Sequence, residues 1–215
     1  MTMNERLAKE RRAHKEMEVA EYLHGKKRFH DNKEDVDVVK IFSGDWYVST
    51  KGKEMLATIL GSCVSACIRD PSNGIGGMNH FLLPGDDSGD NQMSDSARYG
   101  VFAMESLING LLKSGCRKER FEIKVFGGGN VINNSARIGS KNAKFIRDFL
   151  RKEGFRIASE DLEGDHPRRL HYYPDTGKVM MRLLRRKEDM AVVEEEARYK
   201  KEIAAHPIES NIELF

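Results

Sequence analysis

The chain has 215 residues, of which 39% are hydrophobic and 33% charged, with a formal net charge of +2. Such a length accommodates one core domain with appendages or at most two small ones, and a charge so close to balance gives no warrant for a dedicated nucleic-acid binder, which would carry a one-signed patch. No apolar run reaches membrane-spanning length, the opening residues are charged where a signal peptide would be apolar, and the cysteines are only Cys63, Cys67 and Cys116; a cytoplasmic protein without a disulfide framework or membrane insertion is expected.

Residues 1–36 form a mixed-charge arm, helical or disordered, with a candidate helix from Asn4 to about Leu23. Two short β-like runs follow, Val38–Phe42 and Trp46–Ser49, split by the turn Ser43-Gly44-Asp45. Val64–Arg69 and Ile75–Leu83 read as strands joined by a tight turn at residues 70–74. A polar Gly/Asp/Ser-rich loop then leads to Ser96, a candidate N-cap. Val101, Met104, Leu107, Ile108, Leu111 and Leu112 give the next segment one helical face, closed by Gly115. Residues 121–126 alternate as a half-buried strand and run into Gly127-Gly128-Gly129. Ser140 reads as the cap of a second amphipathic helix, with Phe145, Ile146, Phe149 and Leu150 inward and Gly154 at its end. A strand near residues 155–160 and a hairpin of 169–173 with 178–184 complete the pattern. Beyond residue 185 a charged helical tail carries Met190, Val193, Ala197 and Ile203 at approximate helical spacing. Strands with two inserted helices predict an α+β fold with mainly antiparallel sheets, divided into an arm (1–36), a core (37–185) and a C-terminal helix and tail (186–215).

One juxtaposition carries chemistry. With a hairpin loop at 69–74, Cys63 faces His80 across two antiparallel strands, about 5 Å apart at Cβ. A thiol and an imidazole on one face can share a proton, and a thiolate–imidazolium pair lowers the cysteine pKa. Gly61 and Ser62, just before the thiol, are suited to a close backbone approach and to N–H donation toward an oxyanion. Thr58 is placed to orient the histidine or the substrate amide. The other reading of Cys63 is a buried small hydrophobe. Cys67 and Cys116 read as core residues, no metal-ligand spacing is present, and the Gly127–Gly129 run lacks the partners of a phosphate loop. Arg168-Arg169 reads as a solvated pair that could meet an acidic surface.

The stretch TILGSCVSACIRDPSNGIGGMNHFLLP (58–84) resembles the signature region of the chemoreceptor glutamine deamidases, the CheD family. The likeness continues through GDWYVS (44–49), ARYGVFAMESLI (97–108), KVFGGGN (124–130), IGSKNAKFI (138–146) and PRRLHYYPDTGKV (167–179). It implies a three-layer α/β/β fold related to a bacterial toxin deamidase, with Cys63 as nucleophile, His80 as acid/base and Thr58 as third member. One departure is Leu162-Glu163-Gly164, where many members have a glycine pair. The implied reaction is hydrolysis of glutamine side chains to glutamate on the cytoplasmic helices of methyl-accepting chemoreceptors, with no cofactor, supporting adaptation. A CheC-type phosphatase is an implied partner. A non-catalytic binding module of the same fold, or a cysteine hydrolase of another amide, remain the competing readings.

Overall fold

The computed structural model describes residues 27–83, 95–131 and 138–184, together with 194, 196–199 and 201. Ten strands and two long helices lie in these stretches, in the order β1 (Arg28–Asp31), β2 (Val36–Lys40), β3 (Trp46–Ser49), β4 (Glu54–Leu60), β5 (Val64–Asp70), β6 (Ile75–Asn79), α1 (Asp95–Lys113), β7 (Glu122–Gly127), α2 (Ile138–Lys152), β8 (Ile157–Leu162), β9 (Arg168–Tyr173) and β10 (Lys178–Leu183), with a 3-10 turn at Lys118–Arg120 and helical residues at 196–199 besides. They form two five-stranded sheets, β1-β2-β4-β9-β10 and β3-β6-β5-β7-β8. The β2–β4 and β7–β8 pairs are parallel and the other pairings antiparallel. The fold is α+β in three layers: helices, second sheet, first sheet.

Alternation along β5 shows why the layers stack. Val64, Ala66 and Ile68 point to the helices, where they pack with Met104, Leu107 and Leu111 of α1 and Ile146, Phe149 and Leu150 of α2. Cys67 points the other way, into a second core with Leu56, Leu60, Met78, Leu170 and Tyr172 between the sheets. Strand β4 is buried at every position. Its outward Met55 and Ala57 join Val38 in a small third cluster, so the strand has no polar face and shows no period-two pattern.

The structure corrects several expectations. Arg28–Asp31, inside the supposed arm, is a strand paired with β2. Its side chains are mostly exposed, which is why it carries no hydrophobic signal. The candidate helix Asn4–Leu23 lies outside the described residues. Ser140 does not cap α2; it is inside the helix and its hydroxyl accepts from Asn130 Nδ2 at 3.1 Å. In the tail, Ala197 is exposed, whereas Glu196 is buried; Met190, Val193 and Ile203 lie outside the described residues. Arg168 is buried, donating from Nε to Asp161 at 2.6 Å and from its amino groups to the carbonyls of Glu163 and His166. A guanidinium with that many donors satisfied within one loop is a structural clamp rather than a solvated charge.

Candidate active site

The β5–β6 register decides whether Cys63 and His80 meet. Asp70 pairs with Ile75 and Cys67 with Met78, and an outlying bridge joins Val64 to Phe81. The turn is tighter than expected because the Asp70 carboxylate accepts from Ser72 N at 3.0 Å and Ser72 Oγ at 2.6 Å, and Gly74 takes a φ of 68°. The result is a two-residue displacement from the expected pairing. Side chains alternate with period two, so Cys63 and His80 keep a common face but stand diagonally, not directly opposite.

Ser43 lies between them. The segment that holds it is clipped to His80 by Gly44 N donating to His80 O at 2.7 Å and His80 N donating to Asp45 O at 2.9 Å. Ser43 Oγ is 3.0 Å from His80 Nε2 and 3.7 Å from Cys63 Sγ. On the other side of the ring, Thr58 Oγ1 is 2.8 Å from His80 Nδ1 and donates its own proton to Ile41 O at 2.7 Å. With that proton committed, Thr58 accepts at Nδ1, which places the imidazole N–H there. Nε2 is left with a lone pair facing Ser43. The groups form one directed series: Cys63 S–H, Ser43 O–H, His80 Nε2; His80 Nδ1–H, Thr58 O–H, Ile41 carbonyl.

All three side chains sit in a dry place. Cys63 is 0%, Thr58 0% and His80 5% exposed. Burial pushes the His80 pKa below its ordinary 6.5, against the pull of Glu196, so the imidazole is neutral and can act as a base. Burial also pushes the Cys63 thiol well up, and the charge and hydrogen bond of Glu196 add to it, with Ser43 opposing. The lowered cysteine pKa expected from a preformed ion pair is therefore not found. The thiol is protonated in this conformation. Cys67, 1% exposed, is pushed up to about 12 by burial, and Cys116 is also raised by burial, as suits core thiols.

The backbone around the thiol is turned so that its carbonyls face one way and its N–H groups the other. Gly61 O accepts from Gly129 N at 2.8 Å and Cys63 O from Gly128 N at 2.7 Å. Ser62 O accepts from Asn142 Nδ2 at 2.8 Å, while Asn142 Oδ1 accepts from Leu83 N at 2.8 Å. The glycine run after β7 is thus a clamp on the cysteine loop. Gly127 has a φ of 111°, and a Cβ there would lie 2.2 Å from Cys63 O. The N–H groups of Gly61, Ser62 and Cys63 face one carboxylate, those of Gly61 and Cys63 toward one oxygen and that of Ser62 toward the other, a nest suited to an anion. In this structure the carboxylate of Glu196 fills it, each N–H donating at 3.0 Å and Ser62 Oγ at 2.6 Å.

Of the residues singled out from sequence, Cys63, His80, Thr58, Gly61 and Ser62 are brought to one place. Ser43, Asn142 and Glu196 were not anticipated. Ser43 reads as a turn residue, Asn142 as a polar position on an amphipathic helix, and Glu196 as one of a run of solvated acids. Only tertiary contact distinguishes them.

The same region of sequence matches known proteins. The family described as CheD chemotactic sensory transduction matches residues 82–183. A probable chemoreceptor glutamine deamidase CheD of Rhodopseudomonas palustris (strain BisA53) is 50% identical over 190 residues, covering 88% of this chain and 89% of its own. The chain belongs to the CheD family. A further CheD relative, the probable chemoreceptor glutamine deamidase of Hydrogenovibrio crunogenus, is 45% identical over 187 residues, 86% of this chain and 97% of that one. Among solved structures, a hypothetical protein of Bacillus licheniformis, YfiH, overlays with a TM-score of 0.38 at 13% identity, over 70% of this chain and 68% of the other. No described helix is long and apolar enough to cross a membrane. The span matched by the CheD family begins just after His80, so Thr58, Cys63 and His80 enter the site through their geometry.

Proposed function

We propose that this chain hydrolyses glutamine side-chain amides on the cytoplasmic part of methyl-accepting chemoreceptors, using Cys63 as nucleophile and His80 as acid and base. The observation that carries this reading is the placing beside Cys63 of a neutral, oriented imidazole, reached through Ser43, and of an anion nest made by three backbone N–H groups. CheD relatives named as chemoreceptor glutamine deamidases supply the substrate class.

The reaction follows from the atoms present. The thiol gives its proton through Ser43 to His80 Nε2 as sulfur attacks the amide carbon. The oxygen of the tetrahedral intermediate takes the place at the N–H groups of Gly61, Ser62 and Cys63. His80, now protonated and held by Thr58, gives its proton to the departing nitrogen, and ammonia leaves. Water enters, loses a proton to His80 and attacks the thioester carbon; the C–S bond breaks and the thiol is restored. No cofactor or metal enters these steps. The new carboxylates would serve as methylation sites during adaptation, and a CheC-type phosphatase would be a second partner at the same face. Cytoplasmic placement belongs to this reading, because that is where the receptor glutamines lie.

The buried thiol and the filled N–H nest also favour a second reading, a CheD-fold binding module without turnover. Ammonia release from a purified receptor cytoplasmic fragment separates the two. The deamidase reading expects release by the full-length chain, abolished in Cys63→Ala and strongly reduced in His80→Asn. Equal release by Cys63→Ala would overturn it.

A further inference from the structure

Glu196 is placed as a substrate's side chain would be. It lies more than a hundred residues along the chain from the cysteine loop, on a helical stretch that includes Glu196–Tyr199, and is 9% exposed. Burying a carboxylate is costly unless it is fully hydrogen-bonded, and here one oxygen accepts from Gly61 N and Cys63 N and the other from Ser62 N and Ser62 Oγ. Gly61 makes room for it, since a Cβ at that position would lie 2.9 Å from Glu196 Oε1. Tyr199, three residues on and therefore on the same helical face, packs against the inter-sheet core and hydrogen-bonds the hydroxyl of Tyr99 on α1. Two adjacent side chains of one helix are thus seated at the mouth of the site.

A glutamate carboxylate in an oxyanion nest beside a nucleophilic thiol is the arrangement a glutamine hydrolase reaches after water has cleaved the thioester and before the product leaves. We propose that the C-terminal helix is an intramolecular pseudo-product inhibitor, in which Glu196 occupies the place of the substrate glutamine and must withdraw before a substrate can bind. The inference rests on the reading of Cys63 and its N–H nest as deamidation machinery. Two consequences agree with it. The carboxylate contributes to holding the Cys63 thiol protonated, so the closed form is chemically silent as well as sterically blocked. An amide at position 196 would, in turn, be presented to the enzyme's own nucleophile. Sulfur would add to that amide carbon, ammonia would leave with a proton from His80, and water would cleave the thioester, returning glutamate and free thiol.

The test uses the full-length chain with three readouts. In the first, iodoacetamide labelling of Cys63 is timed in wild type, Glu196→Ala and Tyr199→Ala. Labelling at least about tenfold faster in both variants is expected, since each releases the helix; unchanged labelling in folded Glu196→Ala and Tyr199→Ala overturns the proposal. In the second, the Glu196→Gln protein is peptide-mapped over time. Conversion of the introduced amide to glutamate, absent when Cys63→Ala is added, is expected. Faster labelling in Glu196→Ala without this conversion shows that the helix covers the thiol but not in the product's place, and overturns the pseudo-product assignment. The third readout, ammonia release from a receptor fragment, separates this idea from the activity beneath it. Equal release by wild type and Glu196→Ala leaves the deamidase and removes the inhibitor. Faster labelling with no release by either leaves the inhibitor of the thiol and removes the deamidase.

Discussion

The imidazole of His80 is held by one hydroxyl on each side, and each hydroxyl has a separate task. Thr58 accepts the Nδ1 proton and is itself anchored on Ile41 O. Thr58→Val keeps the volume but leaves the ring N–H with Ile41 O alone, at 3.3 Å. Losing a buried hydrogen bond costs about 1–3 kcal/mol, so kcat should fall roughly tenfold to a hundredfold with little change in KM. Ser43→Ala should lower kcat in the same direction, because it removes the hydroxyl between sulfur and Nε2; steady-state kinetics on a receptor peptide checks both. The pH profile has a definite sign. Burial lowers the His80 pKa from 6.5, so the neutral base form persists below that value and the acid limb of kcat/KM should lie below pH 6.5. A limb centred above 6.5 would mean that the imidazole is not held as described. At this scale the sequence was informative for Cys63, His80 and Thr58, because a short hairpin and a preceding strand limit where they can go. Ser43 was opaque, since nothing in a Ser-Gly-Asp turn announces that it will be clipped to the backbone of a residue 37 positions away.

Between elements, the cysteine loop depends on what α2 and the loop after β8 bring to it. Asn142 is completely buried and bridges Ser62 O to Leu83 N. Asn142→Leu leaves both backbone groups unpaired, and a loss of about 2–4 kcal/mol in unfolding free energy is expected by denaturant titration, with activity lost faster than stability. Glu163 departs from the glycine suggested by resemblance and carries a φ of 71°, a left-handed conformation that side chains disfavour. Its carboxylate meets Arg147 only at 3.6 Å on a part-exposed surface; its close bonds are from the backbone, N–H to Gly127 O at 2.8 Å and carbonyl to Arg168. Glu163→Gly keeps them and should raise stability by about 1 kcal/mol, seen as a higher melting temperature. The helices and hairpins were legible because their periodicities are strong: Met104, Leu107 and Leu111 of α1 are fully buried as their spacing predicts, although Leu112, read onto the same face, is 39% exposed. Strand β4 was not, since burial on both faces erases alternation. The register of β5 with β6 was displaced by two because it depends on the Asp70 turn rather than on hydrophobic pattern.

Over the whole molecule, the boundaries proposed from charge alone would cut through contacts. Arg28 on β1 donates to Tyr47 Oη at 2.6 Å and pairs with Glu54 at 3.4 Å, while Glu54 is only 3% exposed and also accepts from Tyr47. A chain starting at 37 would leave that carboxylate without its cation, and Arg28→Ala in the full chain should reproduce most of the loss, about 1–3 kcal/mol in a denaturant melt. The C-terminal segment likewise reads as a solvated tail because Glu196 is one acid among several; its partner is the N–H nest at residues 61–63, and a nest leaves no mark in composition. The central claim is that this constellation turns receptor glutamine into glutamate through Cys63. It is tested most directly by peptide-mapping mass spectrometry of a purified chemoreceptor cytoplasmic fragment after incubation with the wild-type chain, Glu196→Ala and Cys63→Ala. Glutamine-to-glutamate conversion at discrete sites by wild type, faster with Glu196→Ala and absent with Cys63→Ala, is the predicted result. Conversion that survives in Cys63→Ala, or none with either wild type or Glu196→Ala, would contradict it.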